Sequence, residues 1–346
     1  MTFYAYSAAG EQRYQERFGL DFEDFRPGQR FRHRPGVTVS QQDNLDEALD
    51  TMNAAMLHYD AHYASKTTWK KPLMVSTITL QRTVGMGAKT FGRRRSIKSF
   101  DKIALTKPVF GGDTLYAESE IMECTPADDD VGHVKICAIT SNSEGVEVAR
   151  LIYTAEIYRR GRGPDAVLNP LKEERFAAWR EDGDHLYTEQ VGLFFEDFLK
   201  GETFIHNPRR SFYWDEAVEH SWRSLELNPS FHDLQWLEKN ADGRRRISET
   251  FVITAATAPT TRTFGRVVAN LGWTNIELPH PVYAGDTVEA ESTIIDKRES
   301  NSRPNEGILT VETRAYNQHR QMVLSYTRNL LVYRRAAENP YAAAGY

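Results

Sequence analysis

The sequence predicts a duplicated α+β chain, two copies of one unit that each combine an antiparallel sheet with a helix. Three observations carry this expectation. Blocks of residues recur at a fixed offset of 173, and the late part of each half alternates apolar and polar residues at strand period. The early part of each half holds a stretch whose apolar residues follow helical spacing.

The repeat is read directly. Gly19-Leu-Asp-Phe-Glu-Asp-Phe25 returns as Gly192-Leu-Phe-Phe-Glu-Asp-Phe198, and Lys89-Thr-Phe-Gly-Arg93 returns as Arg262-Thr-Phe-Gly-Arg266. Pro108-Val-Phe-Gly-Gly-Asp-Thr114 returns as Pro281-Val-Tyr-Ala-Gly-Asp-Thr287, and Tyr153-Thr154 as Tyr326-Thr327. Every pair keeps the offset of 173, half the chain length, so the chain is a duplicated domain and not a solenoid. Residues 1–164 form the first unit and 189–346 the second. Between them, 165–188 is expected to be a linker, entered through the breaker-rich Arg159-Arg-Gly-Arg-Gly-Pro164, with a short helix near Leu171 to Arg180 and a turn at Glu181-Asp-Gly-Asp184.

Within the first unit, Phe22 to Gln29 reads as a turn around Pro27 and Gly28. Phe31 to Val39 reads as a strand that leads to Ser40, a helix N-cap before Asp43. A helix is expected over 43–63, free of Pro and Gly, with Leu45, Leu49, Met52, Met56, Tyr59 and Tyr63 at spacings of three and four. Strands follow at 114–121, 134–139 and 148–157, and in the second unit at 286–295, 307–316 and 321–333.

Composition narrows the function. The 346 residues are 40% hydrophobic and 26% charged, with a formal net charge of −5, the pattern of an ordinary globular chain. That balance argues against a nucleic-acid partner, whose binding domain is normally basic. No run of residues is long and apolar enough for a membrane helix, and the opening segment carries no apolar signal core. Two cysteines, Cys124 and Cys137, fit a reducing compartment, so a cytoplasmic location is expected. No zinc spacing, Walker pattern or dinucleotide fingerprint appears, so neither a metal nor a redox cofactor is implied.

The Phe-Glu-Asp-Phe opening, a mid-unit Asn/His segment and Pro-Val-(Phe/Tyr)-x-Gly-Asp-Thr together resemble the MaoC-type hot-dog enoyl-CoA hydratases, and the resemblance covers both units. Ala269-Asn-Leu-Gly-Trp273 before Pro281 is similar to the two-unit mesaconyl-CoA hydratases (β-methylmalyl-CoA dehydratases). The resemblance implies a tandem (double) hot-dog: two units side by side with continuous sheets, each sheet wrapped around a long helix. On that reading the helices near 43–63 and 216–226 lie in the concave faces. It also implies a lyase that reversibly adds water to a 2-enoyl-CoA, of a branched or dicarboxylic short-chain type, acting as a monomer or homodimer.

Such a hydration needs water activated at the β carbon, a proton delivered to the α carbon, and stabilisation of charge on the thioester oxygen. The family motif is similar to Asp-x-Asn-Pro-x-His-x-Asp. In the first unit Asn53, His58 and Asp60 fall on its leading Asp, its His and its closing Asp, while Ala55 and Met56 replace Asn-Pro. Asn53 can orient a water but cannot take its proton. In the second unit Glu226 holds the leading position and Asn228-Pro229 is kept, but His232 stands one residue late and Phe231 falls opposite His58. Family spacing puts the greater weight on His58. For the nucleotide of coenzyme A, Arg93, Arg94, Arg95 and Lys98 form a basic run, and Arg suits bidentate phosphate contact. Arg244-Arg-Arg246 reads as a solvated face, and Arg82 and Arg262 are candidates for a free substrate carboxylate. Two other readings stay open, a hot-dog acyl-CoA thioesterase and a non-catalytic acyl-binding partner.

Overall fold

A computed structural model describes residues 2–164, 166, 169–241, 243–344 and 346. Positions 165, 167 and 168 of the expected linker lie outside the described residues. The first half carries strands β1 (Phe3–Tyr4), β2 (Tyr6–Gly10), β3 (Arg13–Glu16), β4 (Arg30–Thr38), β5 (Arg94–Leu105), β6 (Thr114–Pro126), β7 (Val131–Asn142) and β8 (Glu147–Tyr158). The second carries β9 (Ala177–Glu181), β10 (Leu186–Glu189), β11 (Thr203–Ile205), β12 (Arg210–Ser211), β13 (Val267–Glu277), β14 (Thr287–Glu299), β15 (Glu306–Tyr316) and β16 (Met322–Tyr333). Helices are α1 (Gln41–Asp50), α2 (Ala61–Lys66), α3 (Ser76–Met86), α4 (Ala88–Phe91), α5 (Trp214–Arg223), α6 (Leu234–Asn240) and α7 (Glu249–Thr257).

The strands form two sheets, not one continuous sheet as expected. One runs β1-β9-β10-β4-β6-β7-β8-β5 and the other β13-β16-β15-β14-β11-β3-β2, with β12 on β14. What joins the units is an exchange of hairpins. The opening hairpin β2–β3 lies parallel to β11 of the second unit, Tyr14 opposite Phe204. Its counterpart 173 residues later, β9–β10, lies parallel to β4 of the first unit, Tyr187 opposite Phe31. The segment read as a linker is therefore largely sheet. In place of the expected helix near 171–180 it holds one 3₁₀ turn, Glu174–Phe176, and then β9.

Each exchanged hairpin ends on a buried carboxylate that the opposite unit satisfies. Glu189 accepts from His33 Nδ1 (2.9 Å), the Arg34 backbone N–H (3.1 Å) and the Thr90 hydroxyl (2.5 Å). Glu16, its repeat counterpart, accepts from Arg262 Nε (2.9 Å) and the Asn207 backbone N–H (3.1 Å). Around them the partners also repeat: His33 meets Ser119 (2.8 Å) and His206 meets Ser292 (2.9 Å), while Trp179 bonds Thr90 and Tyr6 bonds Thr263. Burial raises the Glu16 carboxyl beyond what Arg262 and Asn207 recover. At Glu189 burial is outweighed by His33 and Lys89, and the carboxyl lies below its ordinary range.

The helix packed on the first sheet is α3, against β4, β6, β7 and β8, with α7 taking the corresponding place against β14. The expected 43–63 helix is corrected: α1 stops at Asp50, and Met52 turns the chain with a left-handed φ of 57°. Its supposed core stripe faces solvent, with Leu49 57% and Met52 89% exposed. In the second unit the 216–226 helix is α5, which lies on α7. The sequence of α3 is rich in Thr and ends near Gly85, so its helix propensity is weak. Burial of Ile78, Thr79 and Thr83, and a Thr83–Thr140 hydroxyl contact of 2.6 Å, hold it instead. Among the described residues no helix is long and apolar enough to cross a membrane.

The Phe-Glu-Asp-Phe blocks lean on glycines. A Cβ at Gly132 would lie 2.2 Å from the Phe22 ring, and one at Gly307 would lie 2.3 Å from Phe195. Gly132→Ala and Gly307→Ala should each cost about 1–3 kcal/mol by overpacking, read as a lowered Tm. Gly85→Ala meets nothing within 4 Å and should leave stability unchanged or raised by up to about 1 kcal/mol. Equal effects at the three positions would contradict the packing described.

A second prediction concerns acid. Burial first, then Arg328 and Arg262, bring His206 from 6.5 to about 3. The unfolded chain therefore binds a proton that the native chain refuses. The His206 contribution is intact above its unfolded pKa and is lost as pH falls from 6.5 toward 3, by up to about 1.4 kcal/mol per pH unit. His206→Gln removes the titration, and its Tm should fall less steeply than that of the wild type between about pH 7 and about pH 5. Parallel slopes would exclude His206 as the group responsible.

Candidate active site

In the first unit the chain leaves β4 at Ser40, which caps α1 reciprocally with Asp43: the Asp43 N–H donates to Ser40 Oγ and the Ser40 N–H to Asp43 Oδ2. This cap sets the pitch of α1 and turns Asn44 inward, where it is fully buried. Asn44 Nδ2 donates to the carbonyls of His58 (2.8 Å) and Leu73 (3.0 Å), and its Oδ1 accepts from the Val75 N–H (2.7 Å). One side chain thus ties α1, the 53–60 loop and the start of α3 together. His58 Nδ1–H donates to the Leu73 carbonyl (2.8 Å), which leaves the lone pair on Nε2. The start of α3 is capped by Val75, which has no side-chain oxygen, so the Ser76 and Thr77 N–H groups open the helix without a capping acceptor.

Against that helix start lies a cavity of about 260 Å³, lined by Trp69, Leu73, Met74, Ser76, Thr79 and residues 105–109. His58 is hydrogen-bonded to the backbone of its lining residue Leu73. Lys107 is the cation that lines it.

In the second unit the corresponding hollow has about 10 Å³. All eight of its lining residues, Arg246 to Val282, are first-unit cavity residues displaced by 173. Its closure has a local cause. Arg246 replaces Leu73, Glu249 replaces Ser76, and the two form an ion pair across the helix start. Ala217 replaces Asn44, so the clamp is missing as well.

The other sequence candidates serve their own backbone. Asn53 Oδ1 accepts from the Ala55 N–H (2.9 Å), and Asp60 caps α2 through the Tyr63 N–H (2.9 Å). Glu226 accepts from the Asn228 N–H (3.1 Å), Asn228 from the Ser230 N–H (3.0 Å), and His232 Nε2 faces the Leu227 carbonyl (3.1 Å). No hydrogen bond joins Asn53 or Asp60 to His58 among the described residues. Asn44 was missed in the sequence because an Asn early in a helix looks like a solvated residue; its signal was the Ser40–Asp43 capping box, which dictates the inward face.

The basic run divides. Arg93 is corrected as a nucleotide ligand: it is buried, pairs with Asp21 (2.5 Å) and donates to the carbonyls of Arg162 and Pro164. Arg95 forks onto Glu156 (3.1 Å to each oxygen), and Lys98 stands 3.7 Å from the same carboxylate. The Arg95 and Ser96 hydrogen bonds hold the Glu156 carboxyl down to about 2. Arg94, half-buried, opens the edge strand β5 opposite Ile157. Of the carboxylate candidates, Arg82 faces Asp43 (3.3 Å) and Arg262 faces Glu16. Among the described residues no group of three or more His, Cys, Asp or Glu is placed to hold a metal ion.

Two family models match: the MaoC like domain over residues 22–142 and the mesaconyl-CoA hydratase family over 174–345. The mesaconyl-CoA hydratase of Cereibacter sphaeroides is 34% identical over 159 residues, covering 44% of this chain and 45% of that protein. That of Haloarcula hispanica is 25% identical over 154 residues, 44% of this chain and 43% of that protein. The matched stretch is thus less than half the length of these curated relatives. A Mycobacterium tuberculosis protein with a double hotdog fold aligns over 91% of this chain and 99% of its own, at 20% identity and a TM-score of 0.36.

Asn44→Ala should destabilise the protein, because it leaves the buried Val75 N–H without its acceptor. Each such orphaned group costs about 1–3 kcal/mol, so urea unfolding should show a loss of at least about 2 kcal/mol. Wild-type stability in this variant would contradict the clamp.

Proposed function

We propose that the chain, matched by the MaoC like domain over 22–142 and by the mesaconyl-CoA hydratase family over 174–345, reversibly adds water to a 2-enoyl-CoA at a single site in its first unit. The observation that carries this reading is the difference between the two helix starts: about 260 Å³ with open N–H groups in one unit, about 10 Å³ closed by a carboxylate in the other. A thioester oxygen placed at Ser76 meets two backbone donors and the positive end of α3, which stabilises the charge that develops there. At α7 the Glu249 carboxylate occupies that place and would repel the same charge.

In this scheme His58 Nε2 removes the proton from a water as its oxygen bonds to the β carbon. The proton is then delivered to the α carbon, closing the balance of one water added. The Leu73 carbonyl holds the imidazole tautomer, and Asn44 holds Leu73. Asn53 and Asp60 shape the loop that carries His58. The reaction draws on protein groups and water, with coenzyme A entering as part of the substrate; the exposed Arg95 and Lys98 and the half-buried Arg94 remain candidates for its phosphates. Lys107 suits the free carboxylate of a dicarboxylic acyl group such as mesaconyl. The units are taken as 1–164 and 189–346, working as a monomer or homodimer.

A panel of 2-enoyl-CoA substrates followed by mass detection tests this reading. The expected product is one water heavier, without release of free thiol; thiol release would contradict it. His58→Ala should lower kcat by about 10²–10⁴, whereas His232→Ala should stay near wild type. Collapse of turnover in His232→Ala with His58→Ala active would reverse the assignment of the units. Lys107→Met should cost about tenfold in kcat/KM for mesaconyl-CoA while sparing crotonyl-CoA.

A further inference from the structure

A cavity of about 330 Å³ lies away from the helix starts, between the units. Both exchanged hairpins line it, through Tyr6 and Glu16 on one side and Ala177, Ala178 and Gln190 on the other. Arg34, Lys89 and Arg262 also face it, so three cations surround one carboxylate. We propose that this cavity is a second ligand site, one that binds a small organic acid with its carboxylate on Lys89 and its carbon chain against Tyr6, Phe176 and Leu193. The proposal does not depend on the hydratase reading.

The repeat shows why Lys89 is the anchor. Lys89 and Arg262 occupy equivalent positions, and each has a hairpin carboxylate nearby. Glu16 is bound to Arg262 and to the Asn207 N–H. Glu189, which would be the corresponding partner of Lys89, is instead saturated by His33, Thr90 and the Arg34 N–H. Lys89 Nζ donates to the Gln190 carbonyl and lies 5.4 Å from the Trp179 ring, and among the described residues no carboxylate pairs with it. An ammonium has three donors, so two are left for a ligand.

Burial lowers Lys89 to about 8, with Glu189 opposing that effect, so the group still carries its charge at neutral pH. A carboxylate supplies the missing acceptors as a charge-assisted pair in a partly dehydrated hollow. The apolar part of the wall, with Ala5, Ala177, Ala178, Val191 and Leu193, favours a ligand with an apolar body over a bare phosphate. At about 30 Å³ per water-sized group, the space admits roughly ten such groups.

Calorimetric titration of the full chain with sodium acetate, butyrate and hexanoate, and with inorganic phosphate, tests the proposal. Saturable binding should strengthen with chain length and be absent for phosphate. Lys89→Met should weaken hexanoate binding by about tenfold or more, whereas Lys89→Arg should retain it. Val191→Trp, which fills the hollow without removing a charge, should also abolish binding and decides the matter if Lys89→Met does not fold. His58→Ala should bind hexanoate as the wild type does, which separates this site from the helix start. Absence of saturable heat with hexanoate, equal affinity in wild type and Lys89→Met, or tighter binding of phosphate than of hexanoate would each overturn the proposal.

Discussion

A carboxylate carried by one unit's hairpin and buried against the backbone N–H that follows a histidine of the other unit is the interaction on which the molecule depends. Glu189 does this at Arg34, and Glu16 does it at Asn207. Removing a carboxylate from water costs several kcal/mol, which only a full set of donors offsets. The cost is met when both units are folded and apposed, so folding and docking are coupled. The same contacts fix the middle of β4, and β4 leads through Ser40 into α1. The geometry at the start of α3 therefore rests on a hairpin from the other half of the sequence.

Most of the sheet architecture was legible because duplication and strand alternation are local signals. Alternation located β6 to β8 and β14 to β16, and Ser40 was read as a cap, which it is. The long helix was misplaced for a physical reason. Amphipathic spacing over 43–63 points at a surface element, whereas α3 buries only Ile78, Thr79 and Thr83, a Thr-rich face that gives little apolar stripe to detect. The exchanged hairpins left a signal that went unused, Tyr14 and Glu16 repeating as Tyr187 and Glu189. Which sheet they join is a tertiary fact that no spacing within the hairpin encodes.

The candidate site was legible only in part. His58 is held by the Leu73 carbonyl, whereas Asn53, Asp60, Glu226 and Asn228 are committed to turns and caps, and Arg93 to a buried ion pair. The decisive differences between the units lie at positions that looked unremarkable: Asn44 against Ala217, Leu73 against Arg246, Ser76 against Glu249. Duplication preserved the packing that both sheets need. It left the helix starts free to diverge, since a Ser or a Glu at the first turn suits a helix equally well.

The central claim is that one helix start per chain, that of α3, receives the thioester. Calorimetric stoichiometry with butyryl-CoA, a saturated thioester that cannot be hydrated, measures it directly. One equivalent per chain is predicted, lost in Ser76→Glu and unchanged in Glu249→Ser. Two equivalents in the wild type, or a full equivalent surviving in Ser76→Glu, would contradict the account.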